Sequence, residues 1–148
     1  MRAAERGVTL ILGGLVCLML AAAPAGQYSV NADAGTVVDN MSGLIWQRGH
    51  SDSRMSLADA GIYCADLVLG GSSEWRVPAL FELSTIVSPD RSGPAIDLVA
   101  FPDTPPSEQF WVSTPYVGRP NNVWAIDFKD GHSSNFGSAV TFFVRCVR

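Results

Sequence analysis

The sequence predicts an α+β fold, and three observations carry that reading. A hairpin signature lies near the start, helical spacing is confined to two short central segments, and strand-like runs close the chain. In the hairpin, Thr36-Val37-Val38-Asp39 and Leu44-Ile45-Trp46-Gln47-Arg48 flank a turn at Asn40-Met41-Ser42-Gly43. Ser56 then opens a helix, with Asp59 at the capping-box position, and Leu57, Ala60, Cys64 and Leu67 recur on one face up to Gly70-Gly71. Pro78 enters a second helix over residues 79–87, whose buried stripe is Leu80, Leu83 and Ile86 and which stops at Ser88-Pro89-Asp90. Residues 91–109 hold Pro94, Pro102, Pro105 and Pro106 and no sustained period. An ordered, irregular excursion is expected there, with Ile96, Leu98, Val99 and Phe101 seeking burial. Strands are expected over 110–113, 123–128 and 140–147, with a turn at Asp130-Gly131 and a small polar loop at His132-Ser133-Ser134-Asn135.

The first 25 residues differ in composition from the rest. Arg2 and Arg6 precede an uncharged apolar run over 8–23, and 17 of the 25 are hydrophobic against 53 of the remaining 123. This is the layout of a secretory leader, with small residues Ala23 and Ala25 placed for cleavage after Ala25. The alternative is an uncleaved anchor, but about 16 apolar residues including Gly13 and Gly14 fall short of the ~20 that span a bilayer. Leu15 and Val16 before Cys17 do not make a lipoprotein box. The expected product is an exported protein, periplasmic, at the cell surface or secreted, with one domain over 26–148. It meets a membrane only through the leader, if that is retained.

That domain keeps 8 basic and 13 acidic residues, a net charge of −5, and all 14 aromatic residues. Its size allows one real core. The acidic balance speaks against a nucleic-acid partner. Export leaves two thiols, Cys64 and Cys146. In an oxidising compartment one disulfide is the simplest reading, worth roughly 4–5 kcal/mol for a loop of about 80 residues. A reactive thiol or a metal ligand is the alternative, without any CxxC to support it.

Beyond these elements, an ordered series of residues resembles a known family. It runs through Thr36-Val37-Val38-Asp39-Asn40, Ser42-Gly43-Leu44-Ile45-Trp46-Gln47-Arg48, Ala60, Tyr63-Cys64, Leu67 and Leu69-Gly70-Gly71. It continues through Trp75-Arg76-Val77-Pro78, Glu82-Leu83, Phe101-Pro102, Trp111-Val112-Ser113, Trp124, Asp127-Phe128, Gly131 and Val144-Arg145-Cys146-Val147-Arg148. Order and spacing are similar to those of the C-terminal domain of the Legionella collagen-like adhesin (Lcl), over about residues 35–148. The resemblance implies a C-type-lectin-like fold, two helices on a mainly antiparallel sheet where the termini meet, and a bond from the first helix to the last strand, here Cys64 to Cys146. It also implies a non-catalytic binding module; in the adhesin the domain binds sulfated glycosaminoglycans. Two departures limit the transfer: there is no collagen-like tract here, and the net charge disfavours a polyanion.

No metal or other cofactor is expected. Calcium needs six to eight oxygens, and Arg119-Pro120-Asn121-Asn122 with Trp124-Ala125-Ile126-Asp127 does not supply a carboxylate cluster. No catalytic set is expected either, since Asp130, His132 and Ser133 are too close in sequence to converge as a triad. Trp46 and Trp75 read as core, and Arg76 as a structural arginine partnered by Glu82. The candidate ligand-binding residues lie in two loops: Tyr116, Arg119, Asn121 and Asn122 in one, Lys129, His132 and Asn135 in the next. Aromatic, amide and guanidinium groups on loops suit a glycan or another envelope component. The competing class is a structural or protein-interaction subunit of an envelope assembly.

Overall fold

The computed structural model describes residues 25–148; the leader and its Cys17 lie outside the described residues, apart from Ala25. Three short strands come first: β1 (Tyr28–Asn31), β2 (Thr36–Asp39) and β3 (Ile45–Gln47) form one antiparallel sheet in that order. Helices α1 (Leu57–Asp66) and α2 (Leu80–Ser84) follow, and β4 (Gln109–Pro115), β5 (Asn122–Asp127) and β6 (Ser133–Gly137) form a second antiparallel sheet. The fold is α+β, with two three-stranded sheets in place of the single expected one. No helix among the described residues is long and apolar enough to cross a membrane.

The predicted hairpin is β2–β3, with Val37 opposite Trp46. Its turn closes through Asp39, whose carboxylate accepts from the Ser42 hydroxyl and the Met41 amide. Helix α1 starts where the sequence says, because the Ser56 hydroxyl accepts the Asp59 amide. It stops earlier than expected, at Asp66. Gly70 and Gly71, both at positive φ, instead make the two-residue turn that lets Leu69 and Ser72 exchange backbone hydrogen bonds. Helix α2 is also shorter than the expected 79–87, yet Leu83 and Ile86 are fully buried.

Glu82 anchors the start of α2. Its Oε2 accepts the Ala79 amide at 2.7 Å, and the Arg76 guanidinium donates to both of its oxygens at 2.6 and 2.7 Å. The expected pairing is present, and the Arg76 side chain is half-buried, at 52% exposed. Hydrogen bonds from Arg76, helped by the Ala79 amide and opposed by burial, hold the Glu82 carboxyl below its ordinary range. A depressed folded-state value stabilises the fold above the carboxylate range, and that contribution disappears as the pH falls through it. Glu82→Gln is expected to cost about 1 kcal/mol at neutral pH. In urea titrations the gap from wild type should close in acid.

In the excursion 91–109, Ile96 and Phe101 are buried as expected but Leu98 and Val99 are not. The reason is the buried Asp97, whose carboxylate accepts the Val99 and Ala100 amides and turns the intervening residues outward. Backbone bonds from Gly93 to Lys129 and from Ala95 to Phe128 pin this segment to the end of β5.

Two further expectations are corrected near the C-terminus. The stretch 132–135 is mostly strand rather than loop: Ser134 pairs with Ala125 and Asn135 with Trp124 in β6. Its polar composition hid a strand stabilised by its neighbour's register rather than by its own side chains. Conversely, 140–147 is no continuous strand. It is extended backbone that changes partner repeatedly, bridging Met55, Phe110, Arg76 and Trp46 in turn. Residues 146–148 line the open edge of β3, with Ile45 and Arg148 exchanging two hydrogen bonds of 2.9 Å.

This segment and the second sheet divide the core. One cluster gathers Val37, Trp46, Leu83, Ile86, Ile96, Phe101, Phe110, Ile126 and Phe128. The other gathers Ala60, Cys64, Trp75, Trp111, Val123, Ala125, Val144 and Cys146. Strand alternation explains the split: Phe110 and Val112 face α2 while Trp111 faces α1, and Ile126 and Ala125 divide likewise. Cys64 and Cys146 form a disulfide inside the second cluster, with Cα atoms 5.6 Å apart.

Candidate functional site

The β4–β5 turn is built at the end of the second sheet. Tyr116 donates its amide to the Asn122 carbonyl at 2.8 Å, and Asn121 takes φ 68°, a left-handed conformation that asparagine tolerates better than most residues. The turn leaves Arg119 and Asn121 exposed. Tyr116 packs edge-on against Trp124, ring centroids 5.1 Å apart. The Asn122 amide donates to the Asn135 side-chain oxygen at 2.8 Å, tying β5 to β6 diagonally. Asn122 and Trp124 share one face of β5, and Asn135 lies opposite Trp124. Five of the seven sequence candidates thus gather at one end of this sheet: Tyr116, Arg119, Asn121, Asn122 and Asn135.

Lys129 and His132 do not join them. They sit in the β5–β6 turn, at the other end of β5, which at six residues spans roughly 17 Å. That turn is internally organised. The Lys129 amide donates to the Asp127 carboxylate and the His132 amide to that of Asp130. The His132 backbone and ring hold the Asp130 carboxyl below the usual range. Gly131 closes the turn at φ 83°, where a Cβ would collide with Val87 Cγ1. Among the described residues no group of three or more His, Cys, Asp or Glu side chains could hold a metal ion.

The other histidine is a packing residue. Its ring nitrogens lie 2.7 Å from the Ser51 carbonyl and 2.9 Å from that of Asp103. Phe110 and Phe143 clamp the His50 ring edge-on. Trp46 is fully buried and Trp75 is 3% exposed, as the sequence suggests.

Among the described residues the cations are dispersed. Arg54 pairs with Glu108, Arg76 with Glu82 and Arg91 with Asp97. Arg145 is fully buried, and Arg48 donates to the Val99 carbonyl. Arg148 lies 5.5 Å over the Trp75 ring. Arg119 and Lys129, both exposed, stand at opposite ends of β5.

Sequence reasoning missed two neighbours of the loop. Val117, inside it, is 98% exposed, and Phe81 on α2 is 81% exposed. The adjacent Leu80 amide donates to Thr114 Oγ1 of β4 at 2.9 Å, which sets the start of α2 beside the end of that strand. The spacing of Leu80, Leu83 and Ile86 already implied that Phe81 points away from the core. Val117 had no such signal.

No curated protein matches the chain. A family model described as the Lcl C-terminal domain matches residues 35–148, from just before β2 to the last residue. On that match, which takes in both sheets and both helices except for β1, the chain belongs to the Lcl C-terminal domain family.

Proposed function

We propose that this is an exported, non-enzymatic binding or adhesion module of C-type-lectin-like fold that recognises a glycan or another cell-envelope component. Family membership supports an adhesin-associated role. The fold reading draws on the bond from α1 to the C-terminal segment and on the pairing of that segment with β3 near the start of the domain. A disulfide suits an oxidising compartment outside the cytoplasm.

One observation carries the choice of site. The Tyr116–Trp124 ring pair, the Asn122–Asn135 amide pair and the exposed Arg119 stand together at the β4–β5 end of the sheet. Aromatic faces stack on the apolar faces of sugar rings, while amides and a guanidinium exchange hydrogen bonds with hydroxyls. The scatter of the basic residues disfavours a densely sulfated ligand, which needs a clustered positive field.

A glycan array carrying neutral, carboxylated and sulfated sugars tests this. Wild-type protein is expected to bind a neutral or carboxylated glycan, and Arg119→Ala to weaken that binding about tenfold. Lys129→Ala, at the other end of β5, should leave binding unchanged. Failure to bind any glycan, with stable recovery of one envelope protein, would favour the structural-subunit reading. Turnover of a substrate would overturn both.

A further inference from the structure

We infer that β6 is a self-association edge, through which a second copy of this chain adds its own β6 antiparallel. The second sheet has order β4-β5-β6, and only β5 pairs with β6. The outer edge of β4 is occupied, because Trp111 and Gln109 exchange backbone bonds with Phe143. The outer edge of β6 is free over residues 133–136, where among the described residues no backbone group outside β5 bonds to it; at Gly137 the carbonyl accepts the Val140 amide. Alternate residues of such a strand turn an N–H and a C=O outward, which makes a template for another strand.

Edge strands usually carry a charge, a lysine, a proline or a bulge that discourages pairing. Strand β6 reads Ser-Ser-Asn-Phe-Gly and carries none of these, and its register against β5 is unbroken over five residues. Its lack of charge points to a second copy. In a chain of net charge −4 most surfaces repel their own kind, but two β6 strands can meet without like charges opposing. The strand is also self-complementary about its centre. A two-fold axis at Asn135 places Asn135 opposite its mate, Phe136 opposite Ser134, and Gly137 opposite Ser133, where Gly137 offers only its amide because its carbonyl already accepts from Val140. The Asn135 side-chain oxygen already accepts from Asn122, while no described residue accepts from its Nδ2, which can donate across the axis. The result is one six-stranded sheet shared by two copies. A strand-edge contact is small, so the dimer is expected to be concentration-dependent.

Sedimentation velocity on the oxidised protein from micromolar to millimolar concentration tests this, together with amide hydrogen exchange. The expected result is a doubling of mass with concentration, accompanied by slower exchange in β6. Ser134→Lys, a charge on an exposed edge residue, should restore the monomer. Its circular dichroism and melting profile check that it is folded, and Ser133→Lys serves as the second variant. A monomer at every concentration would overturn the inference, as would a dimer indifferent to both lysines with β6 exchange unchanged. If β6 gains protection only on addition of a foreign extended peptide, the edge belongs to a heterologous strand and not to a second copy.

Discussion

Replacing both Cys64 and Cys146 with alanine is expected to lower the free energy of unfolding by roughly 4–5 kcal/mol. The two residues are 82 apart in sequence, so the bond closes a long loop in the unfolded chain and removes much of its entropy. Against the ~5–15 kcal/mol that holds an ordinary domain together, this is a large share. The native side adds to it. Both cysteines are fully buried among Ala60, Trp75, Trp111 and Val144, and the bond fastens α1 to a segment that is no regular strand. Urea titration of the double alanine variant measures the effect. An increase in the denaturant slope should accompany the loss, because an uncrosslinked chain expands further on unfolding. A loss of less than about 1 kcal/mol would mean that packing alone fixes the C-terminal segment.

Elements stabilised by their own local chemistry were legible in the sequence. The β2–β3 hairpin carries its Asp39 and Ser42 turn, α1 its Ser56 cap, and α2 its Glu82 partner. Elements that exist because of distant neighbours were not. Strand β1, uncharged and mostly exposed, owes its place to pairing with β2, and β6 owes its place to β5. The two-sheet arrangement also escaped, since nothing local in residues 140–147 reveals that they change partner along their length. For the candidate site, sequence position grouped residues by loop, whereas the fold groups them by sheet end. Asn135 therefore joins Asn122 across the hairpin, while Lys129 and His132 are carried to the other end of β5.

Arg145 shows the same limit most sharply. Strand alternation alone turns it away from Cys146 and hence toward solvent. The C-terminal segment, however, runs between two core clusters, so Val144 and Cys146 enter one while Arg145 and Val147 face the other. The guanidinium is fully buried, donating to the Arg48 carbonyl at 2.7 Å and to the Thr104 hydroxyl at 2.8 Å. It stacks 4.6 Å from the Phe101 ring centroid and 5.8 Å from that of Phe110. Burial pulls its pKa down to about 9, against the opposing pull of Asp103 and Tyr28. It is the tie between the irregular excursion, the segment after β3 and the C-terminus. Arg145→Ala is expected to cost about 3–5 kcal/mol, from the cavity left beside Phe101 and from the half-buried Arg48 carbonyl and the buried Thr104 hydroxyl left without a donor. Arg145→Lys should recover only part of it, because an ammonium cannot reproduce the planar fork that reaches both acceptors while lying on the ring. Unlike loss of the disulfide, this change acts on the native state, so the denaturant slope should stay constant while the midpoint falls. Hydrogen exchange should quicken first over residues 97–104. An alanine variant as stable as wild type would show that the fold does not depend on this buried cation.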